Sequence, residues 1–363
     1  LINAFERMPA TFSQYADAPP LAGPCGFASQ SGAFGTGISA LARSRGLGLG
    51  YFVSTGNTAD ITPAECLSRM LDDDRIRLIA GYIEGLENGE ELIRLAEKSL
   101  AVAKPFVLTK VGRKAAGMRA AASHTGSLAG EDRVFDAVAR QAGILRARNE
   151  EHMLDMMAAL VTNPVPGGRG VAIITQSGGA GVLMADRAEE IGLDVPVLSP
   201  ATQAALRGVL PEYGAAANPI DVTGAFLAEP RIMTESVRIA LEDPAVDVGV
   251  IWLQLMHGHA DRLVELFRQI RREVRKPILI CWLEAPERCR HALMADGITV
   301  LSATERTIDA AKGLVDWGAA LRRYRERPHA VNAAAAPAPR GDAVETVPSL
   351  EALALLEGAG LLT

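Results

Sequence analysis

The sequence predicts an α/β protein built from two doubly wound parallel-sheet domains in tandem. Three observations carry that expectation. Short apolar runs alternate with helical stretches, the same motifs occur twice in the same order, and glycines stop the helical stretches.

The first unit opens with an apolar run that ends in Ser29-Gln30-Ser31-Gly32-Ala33-Phe34-Gly35. Phe34, Ile38 and Leu41 then fall on one helical face, and Gly46 supplies a natural C-terminal stop. Residues 78–83 form a continuous apolar run that reads as a buried parallel strand, closed by Glu84 and Gly85. Lys104-Pro105 introduces another such run. The second unit repeats the plan. Residues 171–174 lead into Thr175-Gln176-Ser177-Gly178-Gly179-Ala180-Gly181 at an offset of 146 residues, and Gly192 matches Gly46 at the same offset. Gly56-Asn57-Thr58-Ala59-Asp60 is echoed by Ala217-Asn218-Pro219-Ile220-Asp221, and Lys104-Pro105 by Lys276-Pro277. Ile144, Glu151, Asp155 and Leu160 return as Ile298, Glu305, Asp309 and Leu314, at an offset of 154. Each unit is flavodoxin-like in length.

These landmarks place a lead-in at residues 1–22, a first domain at 23–165 and a second at 166–328. An Ala/Pro-rich linker is expected over 329–348, and a capped helix at 349–363 reads as the opening of a further domain. The start at Leu1 and the end just after that helix predict a chain cut at both ends.

Composition narrows the function. With 48% hydrophobic and 22% charged residues over 363 positions, the chain is globular, and disorder is excluded for most of it. A net charge of -6 without any long Lys/Arg run excludes electrostatic nucleic-acid binding, which leaves small molecules or protein as partners. Cys25, Cys66, Cys281 and Cys289 lack metal-site spacing and read as free thiols of a reducing, cytoplasmic compartment. No segment approaches the roughly 18 apolar residues of a membrane span, and the first residues do not form a signal peptide.

A strand running into Ser-Gly-Ala or Ser-Gly-Gly and then a helix leaves backbone N–H groups free at a helix N-terminus, where the dipole favours a phosphate. Ser31, Gly32 and Ala33 form one such end, and Ser177, Gly178, Gly179 and Ala180 the other. Each taken alone reads first as an ordinary tight turn. As a pair, they could hold one phosphate between them. The units differ in two respects, of which the first is that Glu84 is not repeated, the corresponding strand of the second unit ending in Gln254-Leu255, and the second is a length. From the Lys-Pro strand to the last strand is 38 residues in the first unit and 20 in the second, so the first carries 18 extra residues within 111–132. That stretch includes Ser123-His124-Thr125-Gly126-Ser127 and reads as a flexible functional loop around one histidine. Imidazole is a competent nucleophile near neutral pH, so His124 suits phosphoryl relay, against the alternative of a structural histidine. Glu84, at the carboxyl end of its strand, could orient that ring or be a solvated loop acid. His257 and His259 lack an accompanying acidic or Cys cluster, so no metal site is expected. His152, His291 and His329 read as surface residues.

The segments SQSGAFG, GNTAD, YIEG and AASHTGSLAG, with the second TQSGGAG and NPIDVTG, closely resemble the nucleoside-diphosphate-forming acyl-CoA synthetases, relatives of succinyl-CoA synthetase. The resemblance spans about residues 20–328. It implies two tandem succinyl-CoA synthetase-like domains of an ADP-forming acid–CoA ligase. Such an enzyme interconverts acyl-CoA, ADP and phosphate with acid, CoA and ATP through acyl phosphate and a phosphohistidine. His124 matches the phosphorylated residue and Glu84 its acidic partner. The two Ser-Gly ends match the phosphate cradle, and Ser123, Thr125, Gly126, Ser127 and Asp60 fall in supporting positions. Phosphate, CoA and ATP/ADP with Mg2+ are the implied cofactors, with the nucleotide held mainly by regions outside this sequence. The family plan adds a CoA-binding domain before the first unit and an ATP-grasp domain after the second. Without them the chain is expected to be inactive, and a partner ATP-grasp domain or subunit, or self-association through the second unit, is implied. A runner-up reading is a regulatory or protein-acetyltransferase-type protein retaining this module as an acyl-CoA or phosphate sensor.

Overall fold

The structure, a computed structural model, describes residues 1–11, 19–86, 88–125 and 131–327, with the backbone alone at 121–125. The linker and helix expected at 329–348 and 349–363 lie outside the described residues, as do His329, Gly126 and Ser127.

Two apolar stretches, β3 (Cys25–Ser29) and β5 (Leu78–Ile83), are buried along their whole length, as central strands covered on both faces must be. They sit side by side in parallel, with β4 (Leu49–Ser54) beyond β3, and β6 (Phe106–Lys110) and β7 (Leu145–Arg146) beyond β5. The strand order β4-β3-β5-β6-β7 is the flavodoxin-like order, so the chain reverses its direction of travel between β3 and β5. A short hairpin of β1 (Ile2–Asn3) and β2 (Met8–Pro9) is added antiparallel to the outer side of β4. Part of the expected lead-in therefore belongs to the first sheet, with Ile2 buried in its core.

The helices follow from their end signals. Helix α1 (Gly32–Ser44) starts at the N-cap Ser31, whose hydroxyl accepts from the Phe34 N–H, and stops before Gly46 in the left-handed region, φ 71°. Helix α2 (Pro63–Leu71) has a reciprocal capping box between Thr62 and Glu65 and proline in its first turn. Helices α3 (Gly89–Ala101), α4 (Ala115–Thr125), α5 (Asp132–Ala142) and α6 (Glu150–Thr162) complete the first unit.

The second unit repeats the order. Its sheet runs β12 (Thr299–Leu301), β11 (Ile278–Leu283), β10 (Val248–Gln254), β8 (Val171–Thr175), β9 (Ile220–Asp221), all parallel, again reversing between its first and third strands. Helix α7 (Gly178–Glu190) follows β8 as α1 follows β3. Helices α8 (Pro200–Arg207), α9 (Arg231–Glu242), α10 (Ala260–Glu273), α11 (Glu287–Ala295) and α12 (Thr304–Glu326) cover its faces. The last glycine of each loop, Gly35 or Gly181, sits where the helix leans on its sheet. A Cβ on Gly35 would come within 2.7 Å of the Phe52 ring, and one on Gly181 within 2.9 Å of Pro219.

Residues Leu1–Arg325 make one compact unit, with a core that the two sheets share. Met153, Met157 and Leu160 of α6 and Ile308, Leu314 and Trp317 of α12 belong to the same buried cluster as Phe27 of the first sheet and Ile173 of the second. Each unit also keeps a cluster of its own on the other face of its sheet, around Leu67 and Phe106 in the first and Phe267 and Trp282 in the second, while the helices that close the repeats bury apolar faces in the shared cluster. Backbone pairing crosses the seam as well, since Asn163 at the end of α6 accepts from the Ile278 N–H of β11 at 2.9 Å. Among the described residues, no helix is long and apolar enough to cross a membrane.

Candidate phosphoryl-transfer site

The reversal point of the first sheet opens a crevice at its carboxyl edge, where ligands bind in sheets of this type. Ser31 leaves β3 on one side of it and Glu84 leaves β5 on the other. Gln30 joins the two. Its Oε1 accepts from the Glu84 N–H at 2.6 Å and the Gly85 N–H at 3.2 Å, while its Nε2 donates to the Gly85 carbonyl at 3.2 Å. The Ser31 hydroxyl is used in capping, at 3.3 Å from the Phe34 nitrogen, and the Gly35 N–H is bonded to the Ser31 carbonyl. That leaves the exposed Gly32 and Ala33 N–H groups at the positive end of a helix 13 residues long. Beneath them Phe34 stacks on Tyr82 at 4.1 Å between ring centroids, tying the first turn of α1 to the end of β5.

Glu84 is 8% exposed, which removes the reading as a solvated loop acid. Its charge and the burial of the ring, burial being the larger cause, push the Tyr82 phenol above its ordinary value. Lys110, in register with Ile83 across β5 and β6, is also buried, donates to the Val111 carbonyl at 3.0 Å, and is lowered in pKa chiefly by desolvation. Its alternating position puts it on the Phe135 side of the sheet.

The extra 18 residues correct one expectation. Residues 115–125 form helix α4, not a loop, and His124 lies in its last turn, with Ser123 and Thr125 beside it. Five alanines with Met118 and Arg119 explain this, because all three residue types are strong helix formers and outweigh one glycine at position 117. The glycine-containing stretch from Gly126 onward, including Ser127, is outside the described residues. Helix α4 follows β6, the neighbour of β5, so His124 belongs to a segment leaving the same sheet edge as Glu84. Asp60 is exposed and lines a cavity of about 360 Å3 with Gln30, Asn57, Thr62 and Gly85. A larger hollow of about 930 Å3 lies between α2 and α3, lined by Tyr51, Arg69 and Lys98, and includes neither Ser-Gly end.

The second sheet carries the same strand-to-helix turn with altered surroundings. Ser177 caps α7 without a side-chain bond, so the Gly178 and Gly179 amides are exposed and Ala180 is buried behind them. Asp221 intrudes, with Oδ2 3.9 Å from the position a Gly178 Cβ would take, and a carboxylate there already answers part of the helix dipole. In place of Glu84 stands the exposed Gln254. The chain then turns away, as the Leu255 N–H donates to the Leu283 carbonyl at 2.8 Å, with Leu255 and Met256 at positive φ. Gln176, the repeat of Gln30, is left with a buried Oε1 that has no partner among the described residues. His152 and His291 were expected at the surface. His152 instead is half-buried with Nδ1 accepting from the Arg148 N–H at 3.2 Å, and His291 Nε2 meets the Ser44 carbonyl at 2.7 Å. The four cysteines are free. Among the described residues no group of His, Cys, Asp and Glu is placed to hold a metal ion, and His257 and His259 occupy a short 3-10 turn.

Sequence reasoning missed Gln30, Lys110 and the Phe34–Tyr82 stack. Gln30 had a signal in its repetition at Gln176. The others depend on strand register.

Known protein families match both units. Residues 22–160 match the succinyl-CoA ligase like flavodoxin domain, and residues 171–304 match the ligase-CoA domain. The α subunit of ADP-forming acetate–CoA ligase II from Pyrococcus furiosus is 34% identical over 324 residues, covering 87% of this chain and 69% of that subunit. The α subunit of ligase I from the same organism is 34% identical over 312 residues, 85% of this chain and 67% of the subunit. Among solved structures, a dinucleotide forming acetyl-coenzyme A synthetase 1 of Candidatus Korarchaeum cryptofilum, in complex with phosphate and ADP, superposes with a TM-score of 0.79. It shares 30% identity and covers 91% of this chain and 71% of that one.

Proposed function

The chain belongs to the nucleoside-diphosphate-forming acyl-CoA synthetases, the family of the ADP-forming acetate–CoA ligases, and on that premise we propose that it carries the phosphoryl-relay step of an acid–thiol ligase. The reaction is the interconversion of acyl-CoA, ADP and phosphate with acid, CoA and ATP, through an acyl phosphate and a phosphohistidine at His124.

One observation supports this above the others. The exposed amides of α1, the buried Glu84 and the helix bearing His124 all leave adjacent strands at one sheet edge, and the second unit lacks both the acid and the insertion. A phosphate fits the Gly32–Ala33 end because its amides are exposed and have no acceptor among the described residues, while the dipole supplies positive potential. In the forward step a His124 nitrogen attacks phosphorus, the P–O bond to the acyl oxygen breaks, and the carboxylate leaves with the bonding pair. Glu84 orients the ring and offsets the imidazolium charge that develops, and the Gly32 and Ala33 N–H groups hold the equatorial oxygens. In a second displacement a terminal oxygen of ADP attacks phosphorus, the P–N bond breaks with its pair returning to the His124 nitrogen, and ATP is formed. Gly178 and Gly179 offer a second anion end, weakened by Asp221. CoA supplies the acyl-accepting thiol. CoA and the Mg2+-bound nucleotide fall to a partner domain or subunit, in keeping with relatives named as α subunits.

Because acyl phosphate can donate directly, the relay is testable on this chain. After incubation with acetyl or isobutyryl phosphate and a neutral quench, intact mass is expected to show one acid-labile phosphoryl group on the wild type and none on His124→Ala. Glu84→Gln should slow uptake by on the order of 10²-fold. No uptake by the wild type, either from acyl phosphates or from ATP with the nucleotide-binding partner present, would overturn the relay.

A further inference from the structure

The C-terminal ends of the two Ser-Gly helices are built alike. Arg45 caps the end of α1 and donates to Asp155 at 3.0 Å and to Glu151 at 2.5 Å. Asp155 lies on α6 with its side chain fully buried, and from the other unit Arg306 of α12 reaches both its oxygens, at 2.6 and 2.7 Å. The repeat of this arrangement, with the roles of the units exchanged, is at Asp309 of α12, whose side chain is 7% exposed. Arg187, in the last turn of α7, donates to it at 2.8 and 3.0 Å, and Arg148, just before α6, crosses from the first unit to its other oxygen. His291 of α11 adds a bond from the second unit to the last carbonyl of α1.

We propose that Asp155 and Asp309 are positioning residues. Each pins the tail of one phosphate-facing helix to the opposite unit, so that the aim of both helix N-termini is fixed by a single doubly bridged seam. This rests on the relay reading for what the N-termini do, and on geometry alone for how they are held. A buried carboxylate shared by two guanidiniums resists rotation in a way an apolar contact does not, because each guanidinium holds it from its own direction, Arg306 bidentately on Asp155 and Arg187 through two N–H groups on one oxygen of Asp309. Losing the charge leaves two arginines facing an amide, and the helix tail is held less tightly, in α1 by Glu151 and His291 alone. A pivot at the tail displaces the amides at the head, where a shift near 1 Å is costly to transfer.

Asp155→Asn and Asp309→Asn are compared with Met156→Ala, which opens a cavity in the same seam, against Gly313 of α12, and removes no partner of either ion pair. Hydrogen exchange is followed along α1 and α7, and phosphoryl uptake from acetyl phosphate well below every melting point. Asp155→Asn is expected to raise exchange selectively in α1, and Asp309→Asn in α7. Each should slow uptake about tenfold, while Met156→Ala leaves both helices alike and changes uptake less than about twofold. Should the Asn variants fail to fold, Arg45→Lys and Arg187→Lys keep the charge without the fork and are read in the same way. Equal, unselective exchange across all variants, or uptake that tracks melting temperature alone, would remove the positioning role. If the wild type takes up no phosphoryl group, the relay reading falls, while the exchange pattern still decides the inference.

Discussion

Glu84 and Gln254 stand at the same register of the two sheets, and their surroundings explain why only one is an acid. The Glu84 turn is held by Gln30 through three hydrogen bonds, whereas the Gln254 turn departs toward β11 and abandons Gln176. That an acid ends one strand was legible in the sequence, but its burial was not, because burial is set by which elements pack over the strand end, and the pattern along one strand does not disclose them. His152 yields a prediction at the same scale. Burial, reinforced by the charges of Arg148 and Arg187 and opposed by Asp309, lowers its pKa from 6.5 to about 4. The unfolded chain therefore takes up a proton between pH 6.5 and pH 4 that the folded chain refuses. Stability is complete above this window and falls through it as pH drops, by on the order of 2–3 kcal/mol for this one group. Denaturant midpoints at pH 7 and pH 4.5 should show a smaller drop for His152→Gln than for the wild type; equal drops would clear His152 of the effect.

At the level of single elements, the close seat of α1 on its sheet depends on Gly35, and that of α7 on Gly181. Alanine gains about 1 kcal/mol in helix propensity but must push against the buried Phe52 ring or Pro219, which costs about 1–3 kcal/mol. Gly35→Ala and Gly181→Ala are each expected to lower the melting temperature by a few degrees, as calorimetry would register; a rise would mean that the helix lifts without strain. The repeated glycine was readable from sequence as part of a matched motif, yet its reason, a ring or a proline from the adjoining element, was not. Helix α4 shows the opposite failure. Small residues around a histidine suggested a loop, while the alanine content, read as helix propensity, pointed to the observed structure.

For the molecule as a whole, tandem repetition disclosed two sheets built alike, since matched motifs fix matched strands, while the order of strands within each is a matter of pairing that the repeat does not show. It could not disclose that α6 and α12 fuse the units, because the alternation of apolar positions is the same whether a helix packs on its own sheet or on two. A shared core and two crossed ion-pair clusters predict that residues 1–325 unfold in one transition. Calorimetric and van't Hoff enthalpies should agree, and two resolved peaks would show that the units melt separately.

The hairpin of β1 and β2 has a colloidal consequence. Without it the six-residue strand β4, half of it buried, would be the border of its sheet, and the hairpin pairs with Tyr51 and Phe52 at the middle of that row of amides and carbonyls. With the hairpin in place, both sheets end in strands of two or three residues: β2 and β7 in one, β9 and β12 in the other. Stubs so short offer a foreign strand almost nothing to zip against, which protects a crowded solution of this protein from growing into ribbons.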